Sequence, residues 1–179
     1  MLGLKRGKVK LSPHNPKWTG FFEKEKKMLQ KVLGKTIIDI QHVGSTAIPG
    51  IPAKPIIDIA VAVPKLDRKE PEKYIESLKK VGYEYRGNRP REHLFVKGSE
   101  EKRLCYLHMV KFNSKAWKNY LLFRDYLRTH KKVAAEYEKL KLKLAKKFSD
   151  NRKLYTAGKD KFIQKILKKL KNNQNLDRN

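Results

Sequence analysis

The feature that most constrains the fold is an apolar run that carries a single carboxylate. Residues 55–63 read PIIDIAVAV, and Asp58 is the one polar side chain among them. A short run without polar alternation is typical of a strand that is covered on both faces, as in a sheet flanked by helices. An unpaired carboxylate inside a core is costly. We therefore expect Asp58 at the mouth of this strand, hydrogen-bonded or beside a cation.

The rest of the chain divides into a mixed part and a helical part. Segments rich in β-branched and aromatic residues predict strands, and apolar residues at helical spacing predict helices. The predicted strands cover 35–43, 55–63, 83–87, 92–98 and 102–112, and the early helices cover 16–33 and 68–82. After residue 113, helices are predicted over 115–130, 131–149 and 161–171, with a connection over 150–160. Ser114 is the expected cap of the first of these.

This organisation predicts one domain over residues 1–179. A mixed sheet with flanking helices is expected over about 14–113, C-terminal helices over 114–171 and a frayed tail over 172–179. No apolar run approaches the ~20 residues that cross a bilayer. The basic start lacks the apolar core of a secretory signal. With Cys105 as the single cysteine, a reducing, cytoplasmic setting and no membrane partner are expected.

The charge balance is strongly basic. Lys and Arg number 44 against 18 Asp and Glu, a formal net charge of +26. Such an excess favours an anionic partner, either a nucleotide or a nucleic acid. The alternative is a lysine-rich composition that decorates ordinary solvated helices. Unpaired lysines alone are sufficient for non-specific, salt-sensitive nucleic-acid binding.

A small turn precedes the apolar run. Gly44, Ser45 and Thr46 follow a predicted strand, where glycine permits a sharp turn and the next amides and hydroxyls can hold a phosphate. No Gly-Lys-Ser/Thr follows, so this is not a P-loop, and an ordinary tight turn is the alternative. Twelve residues separate Ser45 from Asp58. If the two strands are neighbours, a phosphate at the turn could be bridged by Mg²⁺ to Asp58.

The segment HVGSTAIPGIPAKPIIDI closely resembles the signature of the GrpB family, also called UPF0157. The resemblance continues through RLCYLHMV, WKNYLLFRDYLRTH, AAEYEKLKLKLA and YTAGKDKFI, and covers about residues 11–170. It implies an α+β fold of the nucleotidyltransferase type, with a mixed sheet flanked by helices. GrpB-like segments are also fused to dephospho-CoA kinases, which points to nucleotide or coenzyme A chemistry. The family has no settled activity, so the resemblance implies the fold better than a reaction.

The sequence departs from the nucleotidyltransferase superfamily that this family resembles. Active members carry a second carboxylate two positions after the first, where this chain has Ala60, and a third on a later strand. In RLCYLHMV the nearest inward polar residue is His108. The predicted catalytic residues are Asp58, His108 and His42, with Asp58 and His108 as metal ligands. Such a pair leaves open Mg²⁺, Mn²⁺, Zn²⁺ or no metal at all.

Further residues are predicted to bind phosphate or ligand. Lys54 follows the loop, and Arg103 begins a strand. Arg124 lies on an apolar helix stripe and Arg128 one turn later, so the pair predicts an anion clamp, while neighbouring Asp125 is expected to point elsewhere. Each histidine has the alternative of a core role, Lys54 that of a solvated loop residue, and Tyr155 that of a residue that only packs. The complete predicted ligand set is Gly44, Ser45, Thr46, Lys54, Arg103, Arg124, Arg128, Tyr155 and Lys159.

Three functions remain open at this level. The first is a transferase that acts on a nucleotide or another phosphorylated small molecule, with a divalent metal such as Mg²⁺ or Mn²⁺. The second is a module that binds the same anionic ligand without chemistry, because two of the three expected carboxylates are missing. The third is a basic protein that associates with nucleic acid. The sequence leaves the oligomeric state open.

Overall fold

The computed structural model describes residues 2–66, 72–89 and 91–176 of the chain. The helices are α1 (Lys17–Leu33), α2 (Glu72–Lys79), α3 (Lys115–Thr129), α4 (Lys131–Lys147) and α5 (Arg152–Leu176). The strands are β1 (Asp39–Val43), β2 (Ile57–Val63), β3 (Tyr83–Arg89), β4 (Glu92–Gly98) and β5 (Arg103–Lys111). Short 3₁₀ turns lie at Gly34–Thr36 and Ser45–Ala47.

The five strands form one mixed sheet in the order β1-β2-β5-β4-β3. Strands β2 and β5 are parallel, and the other neighbouring pairs are antiparallel. The apolar run is therefore an inner strand, as the sequence predicts, and it begins at Ile57. This mixed sheet with flanking helices confirms the predicted fold class.

The two faces of β2 pack against different helices. Ile57, Ile59 and Val61 lie in a core cluster with residues of α1. Ala60 and Ala62 lie in a second cluster, with Trp117 of α3. Because side chains alternate along a strand, Asp58 belongs to the α3 face. The strand starts at Ile57, so Asp58 is at its mouth, as expected.

The helical part differs from the prediction at its C-terminal end. Helix α5 starts at Arg152 and runs without a break, so the predicted connection over 150–160 is wrong. The side chain of Asn151 accepts a hydrogen bond from the amide of Leu154, which is the geometry of an N-cap. Gly158 lies inside this helix against Leu144 of α4, where a Cβ would come within 2.5 Å of a leucine methyl. The glycine thus serves close helix packing.

Two other predicted segments lie partly outside the described residues. The tail predicted to be frayed is helical as far as Leu176, and residues 177–179 lie outside the described residues. The start of the helix predicted over 68–82 also lies outside them, at 68–71. By contrast, the predicted cap of α3 is confirmed, because the side chain of Ser114 accepts from the amide of Trp117 at 3.3 Å. Within the described ranges, no helix has the length and apolarity that a membrane crossing requires.

Candidate functional site

The site is organised by the junction of β1 and β2. In the antiparallel register Val43 is opposite Asp58, so the turn that follows β1 lies beside the Asp58 carboxylate. Gly44 has φ +69°, and a Cβ built on it would lie 2.3 Å from Asp58 Oδ2 and 2.9 Å from Asp58 Cβ. A glycine is required here for its conformation and for the close approach. The predicted neighbourhood of the turn and Asp58 is thus present.

Two adjoining cavities open at this junction. The smaller cavity has a volume of about 280 Å³ and the larger cavity about 690 Å³. The larger value lies in the range of ~300–1,000 Å³ that is usual for ligand pockets. Both cavities are lined by Gly44, Ser45, Asp58, Tyr120 and Lys159. The predicted turn and carboxylate therefore lie where the two cavities meet.

The wall of the smaller cavity is basic. Lys54, Lys141, Arg152 and Lys159 line it, against Asp58 as the one carboxylate among the described residues of its lining. Burial lowers the pKa of Lys54 to about 8 and that of Lys141 to about 7, with neighbouring cations adding to the effect. Burial also lowers the pKa of Lys159. These ammonium groups lack sufficient negative charge, which an anionic ligand would supply.

Tyr155 places two of these lysines. Its ring is buried, and the ammonium of Lys159 lies 4.5 Å and that of Lys54 5.6 Å from its centroid. Both distances are in the cation–π range. The sequence predicted Lys54, Tyr155 and Lys159 as ligand residues, and all three line the smaller cavity. Lys141 and Arg152 were missed because neither has a local sequence signal that separates it from the other basic residues of α4 and α5.

A histidine and a second carboxylate stand next to Asp58. His108 Nδ1 is 3.0 Å from Glu92 Oε2, and its Nε2 is 3.8 Å from Asp58 Oδ1. The hydroxyl of Tyr120 donates to Glu92 Oε2 at 2.7 Å. Burial disfavours the charged ring, but the hydrogen bonds and charges of Asp58 and Glu92 outweigh it and raise the pKa of His108 to about 9. His108 is therefore an imidazolium at neutral pH in the ligand-free protein.

Asp58 itself is ionised. Burial opposes its ionisation, but the hydrogen bond and charge of His108, together with Lys54 and Lys159, lower its pKa below the ordinary value. The sequence does not single out Glu92, because the third carboxylate was expected on the strand that carries His108. Glu92 lies on β4, where Leu94 is opposite His108 and Glu92 is therefore the diagonal neighbour on the same face. Only the pairing of β4 with β5 reveals this contact.

His42 is a core histidine rather than a cavity residue. Its ring stacks on Phe22 with centroids 4.8 Å apart, and its Nε2 is 3.0 Å from Thr46 Oγ1. Burial lowers its pKa to about 4. His42 lines neither of the two cavities. Of the two roles open for this residue, the structural one fits: it holds the buried Thr46, which lines the smaller cavity, and so supports the turn.

The predicted anion clamp of α3 is occupied by protein acceptors. Arg124 donates to Asp125, to Gln41 and to the carbonyl of His42. The expectation that Asp125 points away from Arg124 is wrong, because a flexible guanidinium reaches its chain neighbour at 2.7 Å. Arg128 donates to the carbonyl of Ala47 at 2.9 Å. Arg124 therefore supports the end of β1, Arg128 supports the 3₁₀ turn that follows it, and neither arginine lines the two cavities.

Arg103 is also separate from this site. It is buried, it pairs with Glu100, and it lines a different, third cavity. Arg103 is at the start of β5, as the sequence predicts, but the cavity that it lines is not one of the two that Asp58 lines.

The donor set around Asp58 does not fit a resident metal ion. No cluster of three or more His, Cys, Asp or Glu suited to a metal is found within the described ranges. Ala60 is fully buried where the resemblance implies the second carboxylate, and it is opposite His108 of β5. Asp58, His108 and Glu92 lie together, but His108 stands as an imidazolium between the two carboxylates, and a protonated ring has no free nitrogen for a metal. The cations Lys54 and Lys159 also act on Asp58. Mg²⁺ or Mn²⁺ would need further oxygens from a ligand phosphate.

Comparison with solved structures agrees with the fold. A solved poly(U) polymerase, Cid1, has a TM-score of 0.53 at 17% identity over 76% of this chain and 43% of that chain, which is a likeness of fold alone. The crystal structure of the conserved protein GrpB from Enterococcus faecalis has a TM-score of 0.79 at 31% identity, covering 89% of this chain and 96% of that one.

Comparison by sequence finds relatives with the same name as that crystal structure. The glutamate-rich protein GrpB of Alkalihalophilus pseudofirmus is 40% identical over 177 residues, which are 95% of this chain and 100% of that protein. The family model described as GrpB protein matches residues 8–169, which include the turn, Asp58, the basic wall and His108. The chain therefore belongs to the GrpB family.

Proposed function

We propose that the two adjoining cavities bind a phosphate-bearing ligand of nucleotide size. The observation that carries this proposal is the basic wall, where Lys54, Lys141, Arg152 and Lys159 face one carboxylate in the smaller cavity. Desolvated cations of this kind are stabilised by a multiply charged anion. The fold likeness to the poly(U) polymerase Cid1, which was solved with 3′-dATP and Mg bound, supports a nucleotide as the ligand class.

The cavities suggest how such a ligand divides. Its phosphates would lie in the smaller cavity, against Ser45 and the amides of the turn, with Lys54 and Lys159 as counter-charges. Its organic part would lie in the larger cavity, which is more apolar and carries aromatic side chains such as Phe123 and Tyr137. An apolar pocket with a few convergent polar groups is the usual form of a small-molecule site.

Binding is favoured over ordinary two-metal transfer. Ala60 is an uncharged residue at the position of the second carboxylate, and the imidazolium of His108 is opposite it on β5. A divalent cation would reach Asp58 together with the ligand, held in part by phosphate oxygens. Group transfer stays a second candidate for one reason. The protonated ring of His108 lies beside the place proposed for phosphate, with its Nε2 3.8 Å from Asp58 Oδ1. An imidazolium in such a position can neutralise or protonate a leaving oxygen.

Ligand binding tests the main proposal. Calorimetric titration would compare nucleoside mono-, di- and triphosphates and coenzyme A, each in Mg²⁺ and in chelator. We expect a phosphate-bearing ligand to bind, and Lys159→Ala or Ser45→Ala to weaken it about tenfold, the worth of a charge-assisted hydrogen bond. The control Lys139→Ala removes an exposed charge of α4 and should leave affinity unchanged. The proposal fails if no such ligand binds, or if the control weakens binding equally.

Turnover separates the two candidate functions. A ligand that binds would be incubated with Mg²⁺ or Mn²⁺ and a panel of acceptors, and product formation would be measured for the wild type and for Asp58→Asn. Product that depends on Asp58 would establish transfer. Tight binding without product across acceptors would leave the binding function alone.

A further inference from the structure

A third cavity is lined by four arginines, with Leu94, Val96 and Tyr106 forming the rest of its wall. It has a volume of about 160 Å³, roughly five times the ~30 Å³ that one water takes up in the liquid. This arginine pocket is formed by Arg6 of the N-terminal segment, Arg86 of β3, Arg103 of β5 and Arg152 at the start of α5, with Tyr106 in its wall. Four guanidinium groups from four separate chain segments thus converge on a space that can hold a tetrahedral oxyanion.

Arg103 is the buried centre of this pocket. Its side chain is 2% exposed, and its Nη2 donates to Glu100 Oε1 at 2.8 Å. Its Nε and Nη1 are buried and have no hydrogen-bond partner among the described residues. Buried donors of a charged group are costly when unpaired and are nearly always satisfied in folded proteins. The two unpaired nitrogens therefore indicate an acceptor that binds in addition to Glu100.

The protein carboxylates nearby do not balance the pocket. Glu100 is shared, since it accepts from Arg6, Arg86 and Arg103 at 2.8–2.9 Å, and it is half-exposed. Arg86 also pairs with Glu84, whose side chain is 66% exposed. Exposed carboxylates are screened by water and compensate a buried cation only weakly. Four arginines against two such groups leave a net positive pocket.

The arginine pocket adjoins the smaller cavity. Arg152 and Tyr106 line both, and the guanidinium of Arg152 lies 4.5 Å from the centre of the Tyr106 ring. This pair therefore forms a wall that the two cavities share, and the wall carries the positive charge of Arg152. Anions on either side of this wall would be neutralised in part by the same Arg152.

We propose that the arginine pocket is a second oxyanion site that binds a phosphate group at Arg103. Guanidinium forks match the oxygens of a phosphate in pairs, which a lysine cannot do. The exposed side chain of Arg6, at 59%, is the one best placed to move aside as the anion enters. The phosphate is either a free anion or a second phosphate of the ligand in the neighbouring cavities. The inference stands without the proposed function, because it rests on Arg103 rather than on Asp58.

The arginine side chains themselves report on the site. Inorganic phosphate would be titrated at constant ionic strength while the Nε–H resonances of the arginines are followed by NMR. We expect a saturable shift of the Arg103 Nε–H signal, and we expect the phosphate affinity read from it to be about tenfold weaker in Arg86→Gln. The affinity should be unchanged in Ser45→Ala, which tests the other site, and in Lys139→Gln, which removes an exposed charge. The proposal is overturned if Arg103 does not respond, or responds equally to chloride.

A second titration distinguishes the two sources of the phosphate. A nucleoside 5′-monophosphate would be compared with a nucleoside 3′,5′-bisphosphate. If one ligand spans both sites, the bisphosphate binds about tenfold more tightly, and Arg86→Gln removes that advantage. If the anion is free, inorganic phosphate and the monophosphate bind together without competition. A bisphosphate advantage that survives both Arg86→Gln and Arg103→Gln would contradict the site.

Discussion

The backbone of Gly44 lies directly against the carboxylate of Asp58, and this contact joins the turn after β1 to the mouth of β2. A Cβ on Gly44 would be 2.3 Å from Oδ2 and 2.9 Å from the Cβ of Asp58. The oxygen could rotate away, but the Cβ of Asp58 is fixed by the strand. The phosphate-sized turn and the ionised carboxylate are therefore a single unit, and one cannot be altered without moving the other.

Gly44→Ala should consequently destabilise the protein more than a matched glycine change. Gly50 also has a positive φ, at +83°, but a Cβ there meets nothing within 4 Å. Gly50→Ala is expected to lose only about 1–2 kcal/mol for the left-handed backbone. Gly44→Ala adds an overpacking cost of about 1–3 kcal/mol and should weaken ligand binding. Urea unfolding of both variants measures this, and equal losses would contradict the contact.

His108 should stabilise the ligand-free protein at low pH and not at high pH. Its pKa is raised from 6.5 to about 9, so its contribution is fully present below 6.5 and is lost as pH rises through 9. The stability difference between wild type and His108→Gln should therefore shrink over this range, by an amount on the order of 2–3 kcal/mol. Urea unfolding at pH 6, 7.5 and 9.5 measures it. A difference that is constant with pH would refute the raised pKa.

His42 provides the comparison of opposite sign. Its pKa is lowered to about 4, so the unfolded chain takes up a proton below 6.5 that the native protein does not. The wild type should lose stability as pH falls from 6.5 to 4, and His42→Asn should lose less over the same range. If both histidine variants show the same pH profile, the assignment of His42 to the core and His108 to the site is wrong.

Replacing Lys141 by methionine should become more favourable as pH falls. Lys141 is 1% exposed, and burial lowers its pKa from 10.5 to about 7. The cost of charging it is absent above 10.5, grows as pH falls and is complete below 7. Lys141→Met removes this cost but also the hydrogen bond to the carbonyl of Pro52. We expect the variant to gain stability relative to wild type between pH 10 and pH 6, while the exposed control Lys139→Met stays level.

The same variant should bind a phosphate ligand less well, because Lys141 lines the smaller cavity. A variant that gains stability and loses binding is expected when the residue replaced is a buried, poorly compensated cation that contacts the ligand. A Lys141→Met protein that is equally destabilised at every pH would show that this ammonium is fully compensated in the native state.

Nucleic-acid binding is expected to follow bulk charge. The net charge of +26 should give an RNA affinity that ignores base sequence and falls steeply with salt, because counterion release dominates such binding. Replacing the exposed Lys165, Lys168 and Lys169 of α5 by glutamine should reduce the slope of log affinity against log salt. Fluorescence anisotropy with several RNAs at two salt concentrations measures this. A clear sequence preference that persists at high salt would instead favour a dedicated nucleic-acid site.

Much of the fold follows from local patterns. The run around Asp58, the short β-branched segments and the cap at Ser114 each predict an element that the structure contains. The connection predicted over 150–160 is instead the first part of α5, although it contains Gly158, a residue type that is unfavourable inside a helix. Its cost in a helix, about 1 kcal/mol, is offset by the close packing of α5 on α4 that a larger residue would obstruct.

The site was predictable where consecutive strands form it and not where it depends on strand register. The turn and Asp58 belong to consecutive strands, so their contact was expected on the condition that these strands pair. The partner of His108 is Glu92 of β4, and its identity depends on the β4–β5 register. The destination of Arg124 was missed for another reason, since helical spacing fixes the direction of its Cβ but not of a long flexible guanidinium.

By itself, the sequence determined a mixed sheet between helices, with one carboxylate at a strand mouth beside a glycine turn. These are consequences of apolar periodicity and of backbone freedom, which act over a few residues. Only the tertiary structure decided which charges meet. Docking α5 on α3 and α4 brought Arg152, Tyr155 and Lys159 to the cavity beside the turn, and the β4–β5 register gave His108 its partner Glu92. Electrostatic energy depends on distances between remote chain segments, and the folded core sets those distances.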